Sequence, residues 1–425
     1  MKDSVVIFGG DGYIGWPLAV HLAWRSERDV VIVDNLVTRR LVQSVGSDSL
    51  VPIGSPEARI SSYEKASGRR NLTFVRADAR DPSEVDWVIS KYLPRTVVHL
   101  AQQRSAPFSM IDQEHALYTE LSNVATNLNI VFSMTRHTPA SHLLKMGTMG
   151  EYGTPNVEIT EGPVEMRRGG RKHKAMFPRT GQSWYHLSKV FDTFNVMLAN
   201  KIHGLKATDV MQGVVYGCRT DEVGDGPLAT RFDLDSVWGT VVNKYVAQAV
   251  VYNKLLIYGR GKMTRGYLSL YDSIKCLALL LDNPPREGEY RVVNQIDETF
   301  DTLQLAEKVR RIAGEFGLDV GFQKVRNPRV ESEEHYYRVQ HKILPSLGFA
   351  RTKTMDEVLR EVFETVIERK PSAMRMEALL APSVPWGGRK SVASDAFRLP
   401  RDLTGWPSAM EPMELARDQP AKVSR

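Results

Sequence analysis

Short apolar runs recur along the chain, separated by longer stretches in which apolar residues return every three or four positions. Runs at 4–8, 29–33, 72–76, 96–100, 142–146 and 205–211 have the length and apolar character of strands covered on both faces. After the first run, Ile14, Leu18, Leu22 and Ala23 form one face of a helix with Pro17 in its first turn. Further helices are predicted over 113–137, through Tyr185, and over 354–369, the last an amphipathic packing helix. Strand alternating with helix gives an α/β fold: a Rossmann-type doubly wound parallel sheet with a smaller mixed α/β domain. Residues 41–70 break the alternation with Gly46, Pro52, Gly54, Pro56 and Gly68 around two weak helical patches, and predict an insertion near the cofactor edge.

The first strand runs directly into Gly9-Gly10-Asp11-Gly12-Tyr13-Ile14-Gly15. Glycines at 9, 12 and 15 allow a tight turn and bring backbone amides, with Tyr13 and Ile14 among them, against a pyrophosphate at a helix N-terminus. The second strand ends at Asp34-Asn35. A carboxylate there accepts both ribose hydroxyls and repels a 2′-phosphate, so NAD is expected over NADP. Arg39 and Arg40 just beyond are the cations a 2′-phosphate would seek. Asp78-Ala79 follows the third strand, where Asp78 is placed to hold the adenine amino group, and Leu100 closes the fourth.

Tyr185 and Lys189, four positions apart on one helix, share a face. A phenol titrates near ~10, and a neighbouring ammonium with an oxidised nicotinamide is expected to lower that value, making a base for an alcohol that loses hydride. Thr148, at the end of the 142–146 run, is expected to meet Tyr185 and bond the same substrate oxygen. Arg104, in the loop after the fourth strand, suits a phosphate or another small oxyanion. Gln212 leaves the 205–211 strand toward the substrate side. Arg265, in a glycine-rich turn over 259–267, and Arg329 are the expected diphosphate clamp, with Tyr336 in the same polar stretch as Arg329. Asn123 reads as a structural hydrogen-bonding group. The basic stretch of Arg167, Arg168, Arg171, Lys172 and Lys174 reads as a solvated loop, with an anion entrance as the alternative.

The 425 residues suffice for a large core, and 42% hydrophobic with 25% charged residues is ordinary for a globular protein. Basic residues are interspersed with acids, so the net charge of +6 favours small anions over nucleic acid. Cys218 and Cys276 form no metal-type pair, so no metal is expected and a reducing cytoplasm suits the chain. No signal peptide is expected at the N-terminus, and no apolar run reaches the roughly 20 residues that span a bilayer.

The glycine turn with Thr148, Tyr185 and Lys189 resembles the extended short-chain dehydrogenase/reductases that act on nucleotide sugars. The stretches 103–112, 147–156, 185–189 and 327–337 are similar to the UDP-sulfoquinovose synthase family, over about 4–386. The resemblance implies tightly held NAD, UDP-glucose and sulfite as substrates, a homodimer, and a possible sulfite-supplying partner. It implicates Thr148, Tyr185 and Lys189 in catalysis, His186 as acid/base, and Arg104 and Arg329 near sugar nucleotide or sulfite. It implies oxidation at sugar carbon 4, loss of water across carbons 5 and 6, addition of sulfite at carbon 6, and return of hydride. Related 4,6-dehydratases carry Thr-Asp-Glu where this chain has Thr148-Met149-Gly150. With no acid pair there, elimination falls to His186. A UDP-hexose 4-epimerase needs only Thr148, Tyr185 and Lys189 and is the alternative enzyme; a catalytically idle NAD-binding scaffold would not need the Tyr/Lys pair. The expected division is an NAD-binding domain over 1–213 with returning segments within about 243–300, a nucleotide-sugar-binding domain over 214–242 and 301–386, and an irregular tail over 387–425.

Overall fold

The computed structural model of the protein describes residues 3–330, 332, 334–386 and 399–400. β1 (Ser4–Phe8) is buried at every position and leads through the glycine turn into α1 (Gly15–Arg25). β2 (Asp29–Asp34) returns beside it, and α2 (Val37–Ser44) and α3 (Pro56–Ser67) form the inserted stretch. α3 has weak periodicity but strong end signals. Ser55 caps it by accepting from the Ala58 amide, Pro56 opens it, and Gly68 at φ +69° closes it. β3 (Leu72–Arg76), α4 (Pro82–Tyr92), β4 (Thr96–His99), the single turn α5 (Ala106–Ser109), the long α6 (Gln113–His137) and β5 (His142–Thr148) follow.

The basic stretch expected as a loop is instead an antiparallel hairpin, β6 (Pro163–Arg168) and β7 (Arg171–Met176). Gly169 and Gly170, at φ 55° and 71°, supply the two left-handed positions its tight turn needs. A mostly charged hairpin has little apolar alternation, which is why its strands were not legible. α7 (Trp184–His203) carries Tyr185, and β8 (Lys206–Gln212) and β9 (Val214–Tyr216) follow. The chain continues through α8 (Val241–Tyr252), β10 (Lys254–Tyr258), β11 (Thr264–Ser269), α9 (Leu270–Asp282) and β12 (Tyr290–Gln295). β13 (Glu298–Asp301), α10 (Thr302–Glu315), β14 (Gly321–Val325), α11 (Ile343–Ser346) and α12 (Met355–Glu368) complete the elements used below. Only the first part of the glycine-rich stretch is a turn; Arg265 lies on strand β11.

Seven strands form one parallel sheet in the order β12-β8-β5-β4-β1-β2-β3. The order reverses between β1 and β4, so a crevice opens outside the C-terminal ends of those strands. One face is covered by α1 and α9, with Leu18, Leu22, Leu277 and Leu280 against Ile7 and Val30. The other is covered by α4, α6 and α7, with Val88, Ile130 and Val196 against Val6 and Val97. A further core joins α8, α10 and α12 with β10 through Val246, Leu255, Val309, Val358 and Phe363. The alternation of α12 therefore does what its pattern predicts: it packs. Most of the expected tail, 387–398 and 401–425, lies outside the described residues; Leu399 is buried beside Val384 and Trp386. Among the described residues no helix is long and apolar enough to cross a membrane.

Candidate active site

A cavity of about 430 Å³ opens at the crevice. Gly9, Gly12, Tyr13, Ile14, Gly15, Asp34, Asn35, Asp78, Ala79 and Leu100 line one part of it, and Arg104, Thr148, Tyr185, His186, Lys189, Gln212, Arg265 and Arg329 the rest. Tyr336, expected beside the substrate, does not line the cavity. It is 44% exposed, and its neighbour Tyr337 lines the cavity, its hydroxyl accepting from the Gly266 amide at 3.1 Å. Along extended backbone adjacent side chains face opposite ways, so a shift of one residue moves a side chain from wall to solvent.

The glycine turn has the close-packed form a dinucleotide cradle requires. A Cβ on Gly9, at φ +82°, would lie 2.5 Å from the Ala101 amide nitrogen, and one on Gly15 would lie 2.3 Å from the Gly9 carbonyl oxygen. Asp34 accepts from the Asp11 amide at 3.0 Å and the Leu36 amide at 2.7 Å. Burial and the nearby Asp11 carboxylate push the Asp34 carboxyl up to about 6. Arg39, the cation best placed to favour NADP, is clasped at both ends by Asp11 at 2.8 and 2.7 Å. Arg59, stacked 3.7 Å over Trp16, donates to the same carboxylate at 2.9 Å. The insertion thus reaches back to neutralise the turn. Asp78 accepts from Arg80 at 2.7 Å.

Ser183 caps α7 by accepting from the His186 amide at 3.1 Å, and Ser109 accepts from the Tyr185 amide at 3.1 Å. These fix the first turn, and with it the phenol, which shares the cavity with Thr148. The Thr148 hydroxyl accepts from the Gly150 amide at 3.1 Å. The Lys189 half of the expectation for Tyr185 is corrected. Burial, then the Glu151 charge, raises the Tyr185 phenol above its ordinary range, against the lowering by Arg104 and Thr148. The Lys189 ammonium is turned elsewhere: it donates to the Met146 carbonyl at 2.7 Å and to the Gln102 amide oxygen, and lies 5.9 Å from the Tyr185 ring centre. Burial and Lys145 bring Lys189 itself down to about 8. The chain's own charges therefore do not make a phenolate.

The His186 ring lies 5.3 Å from the Tyr185 ring and against the Gly150 backbone. A Cβ on Gly150 would stand 2.3 Å from His186 Nε2, so any side chain at 150 would evict the imidazole. Arg104 donates to Asp233 at 2.6 Å and to the Trp238 carbonyl at 3.1 Å. The buried Arg231 pairs with the same carboxylate at 3.0 Å, so two guanidiniums share one acid. Gln212 donates to Ser273 and Gln295, each at 2.9 Å. Arg329 lies 4.8 Å over the Trp386 ring. Asn123 is structural as expected, bonding Gln103 at both its ends and Ser188 at 2.9 Å. None of the five basic residues between 167 and 174 lines the cavity, and the positions that carry them are exposed, as the solvated reading expects.

Sequence reasoning missed Trp238, Tyr337 and Trp386 in the cavity wall, and a buried cluster of charges behind it. Lys145 reaches Asp209 at 3.1 Å and Glu151 at 3.6 Å, and Arg179 reaches Glu151 at 3.0 Å. The signal was present: a lysine among the apolar residues of the strand run 142–146 has to find a buried acid.

The model of the NAD dependent epimerase/dehydratase family matches residues 5–294. The chain is 44% identical to a UDP-sulfoquinovose synthase of Sulfolobus acidocaldarius over 90% of its own length and 97% of that protein's. It is 41% identical to the chloroplastic UDP-sulfoquinovose synthase of Spinacia oleracea over 91% and 79%. Among solved structures, a UDP-glucose 4-epimerase of Thermotoga maritima with UDP-glucose superposes with a TM-score of 0.61 at 18% identity, over 87% of this chain and 99% of that one. A Thermus thermophilus UDP-glucose 4-epimerase in complex with NAD gives 0.60 at 21%, over 85% and 98%. These last two share the fold.

Proposed function

The chain belongs to the NAD dependent epimerase/dehydratase family, and we propose that it converts UDP-glucose and sulfite to UDP-sulfoquinovose. The observation that carries this reading is the seat of His186. An imidazole occupies the space beside Gly150 that an acidic side chain would need, in the same cavity as Thr148 and Tyr185.

The glycine turn, Asp34-Asn35 and Asp78-Ala79 would hold NAD, with Asp34 on the ribose. Bound NAD supplies the hydride acceptor and donor at sugar carbon 4 and, when oxidised, a positive charge near the phenol. Tyr185 takes the proton of the carbon-4 hydroxyl while Thr148 holds that oxygen, and Lys189 holds the end of β5 in place through the Met146 carbonyl. In the 4-ketone the hydrogen on carbon 5 is acidic. His186 removes it and delivers it to the departing carbon-6 hydroxyl, which leaves as water. Bisulfite gives its proton to His186 as its sulfur bonds carbon 6, and His186 passes that proton to carbon 5. Arg104 suits sulfite, and Arg265 and Arg329 suit the diphosphate.

Incubation with UDP-glucose and sulfite, read by mass spectrometry, should give the sulfonated sugar nucleotide; unchanged mass would refute the proposal. Nucleotide released by heat from the purified protein should be NAD, and mostly NADP would remove the ribose role from Asp34. We also propose a homodimer. Phe191, Phe194, Leu198 and Ile202 on α7 and Leu117 and Leu121 on α6, each about half exposed, form one apolar face on two packed helices. Light scattering should return twice the chain mass.

A further inference from the structure

Behind the Tyr185 helix lies a water-excluded set of six ionisable groups. Lys145 on β5, Arg179 before α7 and Lys189 on α7 face Glu151 after β5, Asp192 on α7 and Asp209 on β8, three potential cations against three acids. His99 on β4 faces Lys189 from the sheet, and Tyr290 on β12 donates to Asp209 at 2.8 Å. The pairing inside the set is uneven. Lys145 and Arg179 engage Glu151 and Asp209, and the Thr193 hydroxyl lies within hydrogen-bond distance of both acids, at 2.9 and 2.6 Å, with one proton to give. Asp192 is left outside these pairs. It is fully buried, its Oδ1 has no hydrogen-bond partner among the described residues, and its Oδ2 accepts from Gln102 Nε2. The other end of that amide accepts from the Lys189 ammonium. Gln102 sits just beyond β4 in the cavity wall, and its orientation is fixed because each end can serve only one of these partners.

We infer that Asp192, acting through the Gln102 amide, is the positioning residue that holds the Lys189 ammonium charged and aimed at the end of β5. A buried carboxylate whose hydrogen bond leads only to that ammonium has no other evident structural employment, and desolvating it is costly unless the charge it balances is needed. The inference rests on the reading of Tyr185 and Lys189 as the hydride-transfer pair.

Removing the Asp192 charge leaves three cations against two carboxylates, so Lys189 gives up its proton more readily. In Asp192→Asn the alkaline limb of hydride transfer, followed by the absorbance of reduced nicotinamide, should therefore move to lower pH by about one unit or more. The Lys189 resonance in protein labelled with nitrogen-15 lysine should titrate lower by the same amount. Gln102→Leu keeps both charges and cuts the link, so it carries the test however Asp192→Asn folds; its limb should move the same way by less. A merely structural Asp192 would lower the melting temperature and leave the limb and the resonance where they are, and an unmoved Gln102→Leu would likewise overturn the inference. If the wild type shows no hydride transfer, the functional reading fails, while the lysine titration still decides the Asp192–Lys189 link.

Discussion

Tyr185→Phe should lose at least ~100-fold in turnover, the usual scale for a missing acid/base group, or about 2.7 kcal/mol in the barrier. Affinity for UDP-glucose should barely change. The phenyl ring keeps its place in the cluster with Trp238, Val384 and Trp386, so the wall retains its shape. What disappears is one hydroxyl in the cavity that Thr148 shares. That hydroxyl is the only group proposed to take the carbon-4 proton, and Lys189 cannot replace it, because its ammonium is spent on Met146 and Gln102. NAD content should be that of the wild type. Near-normal turnover in the variant would remove Tyr185 from the chemistry altogether.

His186→Ala should abolish sulfonation while leaving reduction of bound NAD by UDP-glucose detectable. Elimination and addition both need proton transfer at carbon 5, whereas 4-epimerisation never touches that hydrogen. In heavy water without sulfite, the wild type should exchange the carbon-5 hydrogen for deuterium or accumulate the enone, and the variant should do neither. A second substitution reaches the same point from the other side. In Gly150→Ala the new methyl would stand 2.3 Å from His186 Nε2 and push the ring from its seat, so it too should lose carbon-5 exchange and keep hydride transfer. UDP-galactose with carbon 5 unlabelled, from the wild type, would replace the synthase by an epimerase. Undiminished exchange in His186→Ala would move the proton-transfer role to another residue.

Local patterns settled much of this protein in advance. Continuous apolar runs mark strands covered on both faces, and the turn after β1 needs glycine wherever its backbone touches itself, as the contacts at Gly9 and Gly15 bear out. Tyr185 and Lys189 share a helix face by spacing alone. Positions decided by residues distant in the chain could not be read this way. The choice of Tyr337 over Tyr336 depends on which way an extended segment rotates as it meets Gly266. The clasp of Arg39 and Arg59 on Asp11 joins an insertion to a turn, and nothing local to either announces it. The raised phenol was hidden for the same reason, since the cost of burying its charge and the field of Glu151 exist only after α7 has packed on the sheet. Sequence determined which groups the site contains; the packing of α7 against β5 and β8 decided their charge, their aim and the room between Gly150 and His186, because desolvation and steric exclusion are properties of the assembled fold.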